Sequence, residues 1–326
     1  MAESVTMILA GDLGGTKSNL GIFEVRQGRL EMLVSRRYPS HDYATAEEVI
    51  GAFAREAPGK ISAACFGVAG PVVENTVKAT NLAWVVDGAK LASLLQLERV
   101  TILNDLEATA YGLRVLPPAD FVSLRDGVAA PHANQALIAA GTGLGEAILF
   151  WDGTRHLPMA TEGGHADYAP HTDEEILLMQ SLKKTMDRVE VETIISGRGF
   201  PEIHRFLDPS VTHPSFGDAK QDPSPEITAN ALAGSCAVCV RTVEMWMGMY
   251  GAEAGNLALR AVARGGIFVA GGIAVKILPM MKDGRFADAF TDKGKLRGFL
   301  TSIPISIVLN ENAPLLGAAY VASQAG

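Results

Sequence analysis

The sequence predicts a mixed α/β protein of two domains. Three observations point there. The chain has 326 residues, about two domains at roughly 150 residues each. Apolar, β-branched runs alternate with helix-like stretches along its length. One plan, an apolar strand entering a glycine-threonine turn and leaving as a second strand, occurs near residue 14 and again near residue 142.

Residues 5–10 read as a buried strand by their β-branched and apolar content. The strand runs into Gly11-Asp12-Leu13-Gly14-Gly15-Thr16-Lys17. A second strand follows over 18–25, a polar break at Gln27-Gly28-Arg29, and a third strand over 30–34. This meander excludes a Walker loop, since the G-x-x-x-x-G-K-[ST] spacing is absent. It also excludes a Rossmann fingerprint, which needs a helix after its glycines. An amphipathic helix is expected over 46–56, ended by Pro58-Gly59, then a strand over 61–69. Residues 72–81 suggest a hairpin whose Asn81 leads to Leu82 and a core Trp84, and a short helix covers 91–97. The strand over 100–103 ends abruptly in Asn104-Asp105, and 108–111 look helical.

Pro117-Pro118 marks a candidate domain boundary. A strand over 135–140 enters Gly141-Thr142-Gly143-Leu144-Gly145 and leaves over 146–150; Gly153 turns toward a third. In Glu162-Gly163-Gly164-His165 the paired glycines argue against a helix. Helices are expected over 173–186 and 200–207, around a segment 189–199 that ends in a tight loop. Residues 208–225, rich in Pro, Asp, Ser and Gly, read as an exposed loop. Residues 226–250 are helical with core-type Met and aromatic residues, and 252–262 continue the helix. A strand over 266–270 meets Gly271-Gly272, the last strand is 303–309, and a helix over 315–322 closes the chain.

Hydrophobic residues make up 48% and charged residues 20%, enough to bury a sizeable core. A formal net charge of -8 opposes nucleic acid and anionic membranes as main partners. There is no apolar run long enough to span a bilayer, and the Met1-Ala2-Glu3-Ser4 start is not a signal peptide. Three cysteines fit a reducing cytoplasm. Cys236 and Cys239 form a C-x-x-C inside an apolar, helix-like stretch with no second Cys/His pair nearby. That reads as buried thiols, with redox or zinc roles as alternatives.

The first glycine turn fits a plain hairpin or an anion nest. In the nest, Gly14 and Gly15 adopt φ > 0 and leave N–H groups open, Thr16 adds a hydroxyl and Lys17 a charge. Asp12, at the strand end, is placed to hold magnesium through water. Asn104 and Asp105 fit helix capping, and Asp105 also fits a general base held at a strand mouth. Glu162 and His165 suit hydrogen bonding to a polyhydroxylated ligand, or a loop held by its own side chains.

Taken together, GDLGGTK (11–17), LND (103–105), GTGLG (141–145), EGGH (162–165), VAGGI (269–273) and ENAPLLGAA (311–319) resemble a bacterial glucokinase of the hexokinase/actin-like ATPase superfamily. The zinc-binding cysteine cluster of the related repressor/open-reading-frame/kinase (ROK) family is absent, so the chain resembles the zinc-free branch. The resemblance implies a two-domain actin-like ATPase (ribonuclease-H-like) fold with an active-site cleft between a smaller domain, 1–115 plus 313–326, and a larger one, 116–312. It implies ATP-dependent phosphorylation of glucose at the 6-hydroxyl, with ATP and Mg2+ as cofactors, in a cytoplasmic homodimer. Gly11, Asp12, Gly14, Gly15, Thr16 and Lys17 form the first phosphate loop in that scheme, and Gly141, Thr142 and Gly143 the second. Gly271 and Gly272 lie by the adenosine. Asn104, Asp105, Glu162, His165 and Glu192 bind the sugar, with Asp105 as base and Asp12 toward the metal. Glu146 departs from the family pattern, which has a small or apolar residue there; strand alternation is expected to turn it from the ligand. The rivals are a kinase of another hexose, a non-catalytic sugar sensor, and a donor other than ATP. A first strand starting near Val5 leaves no room for the DNA-binding helix pair of the sensor reading.

Overall fold

One sheet plan is used twice. The chain divides into two units, Met1–Pro118 with Asn310–Gly326, and Ala119–Leu309. The computed structural model describes residues 6–26, 29–80, 82–218 and 221–324. The start at 1–5, the Gln27-Gly28 part of the expected break, Asn81 and loop residues 219–220 lie outside the described residues.

The first unit runs β1 (Thr6–Leu13), β2 (Lys17–Arg26), β3 (Arg29–Pro39), α1 (Ala46–Ala54), β4 (Ile61–Val68), β5 (Val72–Val73), β6 (Thr76–Lys78), β7 (Val85–Asp87), α2 (Gly88–Leu95), β8 (Thr101–Asn104) and α3 (Asp105–Gly112). Its main sheet has the order β3-β2-β1-β4-β8, with an antiparallel meander on one side and parallel strands on the other. Both faces are covered, so β1 is apolar at successive positions. Ile8 and Ala10 face a core shared with Leu315, Ala318 and Ala319 of the C-terminal helix Ala313–Ser323. Leu9 and Leu13 face the core of α1 and α2, with Phe53 and Leu91. A strand alternates its side chains, so burial on two faces needs this continuous run. The expected hairpin over 72–81 is part of a small separate sheet, β5-β6-β7. Trp84 lies in the core and donates its indole N–H to the Tyr43 carbonyl at 3.2 Å.

The second unit runs β9 (Phe121–Arg125), β10 (Gln135–Ala140), β11 (Leu144–Trp151), β12 (His156–Thr161), α4 (Asp173–Leu182), α5 (Val191–Ile194), α6 (Gly199–Leu207), α7 (Ser224–Ala233), α8 (Ala237–Ala261), β13 (Ile267–Ala270), α9 (Gly272–Lys276), α10 (Leu278–Met281), α11 (Arg285–Thr291), α12 (Arg297–Thr301) and β14 (Ile305–Val308). Its sheet, β12-β11-β10-β13-β14-β9, repeats the meander and the two parallel strands, with β9 added antiparallel at the edge. Trp246, Tyr250, Phe286 and Phe290 fill its core.

The continuous helix expected over 226–262 is broken. Gly234 ends α7 in the left-handed region (φ 65°), and Cys236 starts α8 from an extended conformation, its Sγ accepting the Cys239 N–H at 3.4 Å. Glycine at the C-terminal stop is the signal for this break. The EGGH segment forms a single 3-10 turn, Gly163–His165, rather than open loop. Among the described residues no helix is long and apolar enough to cross a membrane.

Candidate active site

The motif residues fall in both units. In the first, the β1–β2 hairpin presents Asp12 opposite Asn19. Asn19 Nδ2 donates to Asp12 Oδ2 at 3.1 Å, and Arg37 Nε donates to Asn19 Oδ1 at 2.9 Å. Burial pushes the Asp12 carboxyl above its usual range, against the Asn19 hydrogen bond and the charges of Lys17 and Arg37. The turn is tied down from β3's end. The Ser40 hydroxyl donates to the Gly14 carbonyl at 2.7 Å and its N–H to the Thr16 carbonyl at 3.0 Å. Two expectations for this turn are corrected. Gly14 and Gly15 are not among the positive-φ glycines. The Gly14 N–H closes the turn on the Lys17 carbonyl at 3.1 Å and is not open. Gly11 is buried in β1, while Thr16 and Lys17 are exposed.

Asn104 and Asp105 sit where β8 passes into α3. Asn104 caps the helix, Oδ1 accepting from Leu106 N at 2.8 Å and Glu107 N at 3.4 Å. Asn104 Nδ2 donates to the Gly70 carbonyl at 3.1 Å. The cap is therefore Asn104, and Asp105 is the first helical residue. Asp105 is half-buried, with Oδ1 accepting its neighbour's N–H at 2.9 Å.

In the second unit, Gly141-Thr142-Gly143 turns between β10 and β11, closed by Gly141 N–H to the Gly143 carbonyl at 2.8 Å. Thr142 is exposed. The Glu192 carboxylate rests against this turn and accepts the Leu144 N–H at 2.8 Å. It lies 2.5 Å from where a Cβ on residue 143 would be, so position 143 admits only glycine without displacing it. Glu162 caps the 3-10 turn and His165 ends it, and the start of α5 brings Glu190 and Glu192 beside them. The register is set by Tyr168 N–H to Val189 O (3.1 Å) and Val191 N–H to Ala166 O (2.9 Å). His165 Nδ1 donates to Glu190 Oε2 at 2.8 Å, and Nε2 lies 4.0 Å from Glu162. The Glu190 hydrogen bond, with the charges of Glu192, Glu190 and Glu162, raises the His165 pKa against the opposing effect of burial.

Glu146 points into the protein from β11, beside Glu253 and Arg260 of α8. Arg260 lies 3.6 Å from Glu146 and 2.8 Å from Glu253. Burial, then Glu253, outweighs Arg260 and pushes the Glu146 carboxyl up to about 8. Its Oε2 abuts Gly163 of the EGGH turn.

A cavity of about 370 Å³ adjoins the second turn, lined by Gly141, Thr142, Arg198, Ser224, Ile273 and Lys276 among others. Its wall is cross-tied: Gly197 N–H donates to the Gly141 carbonyl at 2.8 Å, and the Ser224 hydroxyl to the Gly197 carbonyl at 2.6 Å. Gly271 has φ 89°, and a Cβ there would lie 2.3 Å from the Ala140 carbonyl. That glycine lets the β13–α9 turn close onto β10, and α9 then places Ile273 and Lys276 on the cavity. Gly272 is exposed at the helix start. A cavity lined by apolar Phe200, Pro225 and Ile273 beside the cations Arg198 and Lys276 suits a nucleotide.

Sequence reasoning missed Asn19, Arg37, Ser40, Glu190, Arg198, Ser224 and Lys276. Only Glu190 carried a signal, the Val189-Glu190-Val191-Glu192 alternation. The others meet their partners through tertiary pairing.

The glucokinase family profile matches residues 9–325. Glucokinases from Nostoc sp. (strain PCC 7120 / SAG 25.82 / UTEX 2576) and Synechocystis sp. (strain ATCC 27184 / PCC 6803 / Kazusa) are 37% and 35% identical to this chain. The alignments cover 98% and 97% of it, and 100% and 98% of those proteins. The crystal structure of a glucokinase from an Antarctic psychrotroph superposes with a TM-score of 0.83 at 26% identity, covering 98% of this chain and 100% of that one. A Streptomyces griseus ROK-family glucokinase, in complex with glucose and AMPPNP, shares the fold at a TM-score of 0.66 and 22% identity, covering 98% and 100%. The chain belongs to the glucokinase family.

Proposed function

We infer that this chain transfers the γ-phosphoryl group of ATP to the 6-hydroxyl of glucose. The observation that carries the reading is family membership over nearly the whole chain, 9–325. The arrangement of the motif residues supports it. Phosphoryl transfer depends on positioning and charge neutralisation more than on covalent help. The Gly141–Gly143 turn and the adjoining cavity, with Arg198 and Lys276, take the nucleotide, and Gly271 shapes the adenosine end. The Gly11–Lys17 hairpin supplies the other phosphate contacts.

Asp105 is the general base in this reading. Its place at the first turn of a capped helix fixes its position, and it accepts the 6-hydroxyl proton as the new P–O bond forms. Glu162, His165 and Glu192 hydrogen-bond the remaining sugar hydroxyls, and Asn104 orients Asp105 and the sugar. A sugar lacking one hydroxyl leaves a polar group of the site unpaired, the basis of selectivity for glucose over other hexoses. Asp12 fits a magnesium ion. It is a hard oxygen donor at a strand end, and Asn19 engages only its Oδ2 among the described hydrogen bonds. The ion would be held through water and would neutralise phosphate charge. The resemblance also supports a homodimer in the cytoplasm.

The test is initial rates with a panel of hexoses and phosphoryl donors, read by ADP release and by glucose 6-phosphate formation. Glucose with ATP and magnesium should give the highest kcat/KM. Faster turnover of fructose or N-acetylmannosamine would reassign the substrate. Tight glucose binding with no turnover would make the chain a sensor.

A further inference from the structure

Outside the motif residues, the second unit gathers four soft or borderline ligands. His204 lies on α6, His213 in the loop that follows, and Cys236 and Cys239 at the start of α8. Their ligating atoms all fall within 4.8 Å of one another. His213 Nε2 is 3.1 Å from Cys239 Sγ. The expectation that the C-x-x-C lacked a Cys/His partner pair is corrected here. The pair comes from 23 to 35 residues upstream and meets the cysteines only in the folded chain.

His204 gives the second, independent observation. It is fully buried, and neither ring nitrogen has a hydrogen-bond partner among the described residues. Its ring packs edge-on against His213 and Phe216, at centroid distances of 5.3 and 4.9 Å. An imidazole always carries at least one N–H or lone pair that seeks a partner, and a native interior rarely leaves both nitrogens unmet. A cation bonded to one nitrogen meets that need.

We propose that His204, His213, Cys236 and Cys239 form a structural zinc site of the Cys2His2 type. Two thiolates and two imidazoles select zinc over magnesium or calcium, which take oxygen ligands. With Zn–S near 2.3 Å and Zn–N near 2.0–2.1 Å, tetrahedral ligand atoms stand roughly 3.3–3.8 Å apart. The present ligating atoms, all within 4.8 Å of one another, lie close to that spacing. Four protein ligands close the coordination sphere, which marks a structural rather than a catalytic centre. The helix break at Gly234 makes the site possible, because it puts Cys236 at the cap of α8 with Sγ turned back toward Cys239.

The ion would clamp three elements at one point: α6, the segment around His213 and the start of α8. That segment leads into Ser224 and Thr228, and α6 carries Phe200; all three line the cavity. Zinc therefore fixes the wall of the candidate nucleotide pocket without touching the ligand. The proposal stands whether or not the kinase reading does.

The experiment is metal analysis of the full chain, purified under reducing conditions without chelator and then equilibrated with zinc and desalted. About one zinc per chain is expected. Cys236→Ser, Cys239→Ser and His204→Asn should each lose most of it, with circular dichroism confirming folded protein. Cys236→Ser guards against misfolding, since serine is a good helix cap. Cobalt in place of zinc should give the intense visible bands of a tetrahedral thiolate site, abolished in Cys236→Ser. Chelation should lower the melting temperature of the wild type and leave that of Cys236→Ser unmoved. Reduced wild-type protein that takes up no zinc overturns the proposal, as does zinc retained equally by all three variants. A Cys236–Cys239 disulfide found by intact mass, with no zinc uptake after reduction, overturns it in favour of a redox pair.

Discussion

The carboxylate of Glu192 accepts the Leu144 backbone N–H at 2.8 Å, in space that any side chain on Gly143 would occupy. One contact thus joins a candidate sugar-binding residue to the second glycine turn. Gly143→Ala should push Glu192 off the turn, an overpacking change of roughly 1–3 kcal/mol. Both the glucose KM and the ATP KM should rise. The double variant Gly143→Ala/Glu192→Ala should lose less than the two single losses added, since residues in contact are not additive. Strict additivity in a double-mutant cycle would mean that the two positions act separately.

Asp105 and Asn104 are neighbours with separable duties. Asn104 holds the helix cap and the Gly70 carbonyl, so Asn104→Ala should lower stability by about 1–2 kcal/mol. Asp105→Ala leaves the cap in place. It should fold, bind glucose and lose roughly 10²–10⁴-fold in kcat. Denaturant melts and steady-state rates on the two variants distinguish the duties. Near wild-type kcat in Asp105→Ala places the base elsewhere.

His165 and Glu190 form the pair that the motif did not reveal. The hydrogen bond to Glu190 is the main cause of the raised His165 pKa. Glu190→Gln removes the charge and should bring the His165 titration down toward the usual histidine range, followed by NMR of the ring protons. A raised histidine pKa stabilises the fold fully below the unfolded value of 6.5 and loses that contribution as pH rises through the folded value. His165 is exposed, so the stability change should be small. The glucose KM should rise by up to roughly 10- to 150-fold, the range for losing one hydrogen bond to a charged group at about 1.5–3 kcal/mol. An unmoved His165 titration would show that Glu190 does not hold the ring.

What the sequence made legible was local. Both glycine hairpins, the Asn104 cap and the buried Trp84 follow from neighbours within a few residues, where turn and cap chemistry operate. The Gly14 N–H was misjudged because its acceptor, the Lys17 carbonyl, depends on the conformation the turn adopts. Arg37, Ser40 and Ser224 were invisible because their partners lie 18, 26 and 27 residues away, reached only through sheet and loop pairing. The C-x-x-C was visible but placed inside a helix, since apolar periodicity outweighed the single glycine that breaks it. His204 and His213 carried no local pattern at all.

Glu146 is buried beside Glu253 and Arg260, and its burial links its protonation to stability. Its carboxyl shifts from an ordinary 4.5 up to about 8, with burial as the first cause and Glu253 the next. A raised acid pKa means the folded state keeps a proton that the unfolded state releases. The penalty is absent below about 4.5, grows as pH climbs, and is complete above about 8. Glu146→Gln cannot ionise and keeps nearly the same shape beside Gly163. Denaturation of both proteins between about pH 5 and pH 9 cancels the background from other groups. The variant should gain on the wild type steadily across that window and hold its advantage above it. A difference that stays flat with pH would mean Glu146 remains ionised in the fold, with Arg260 as its full partner.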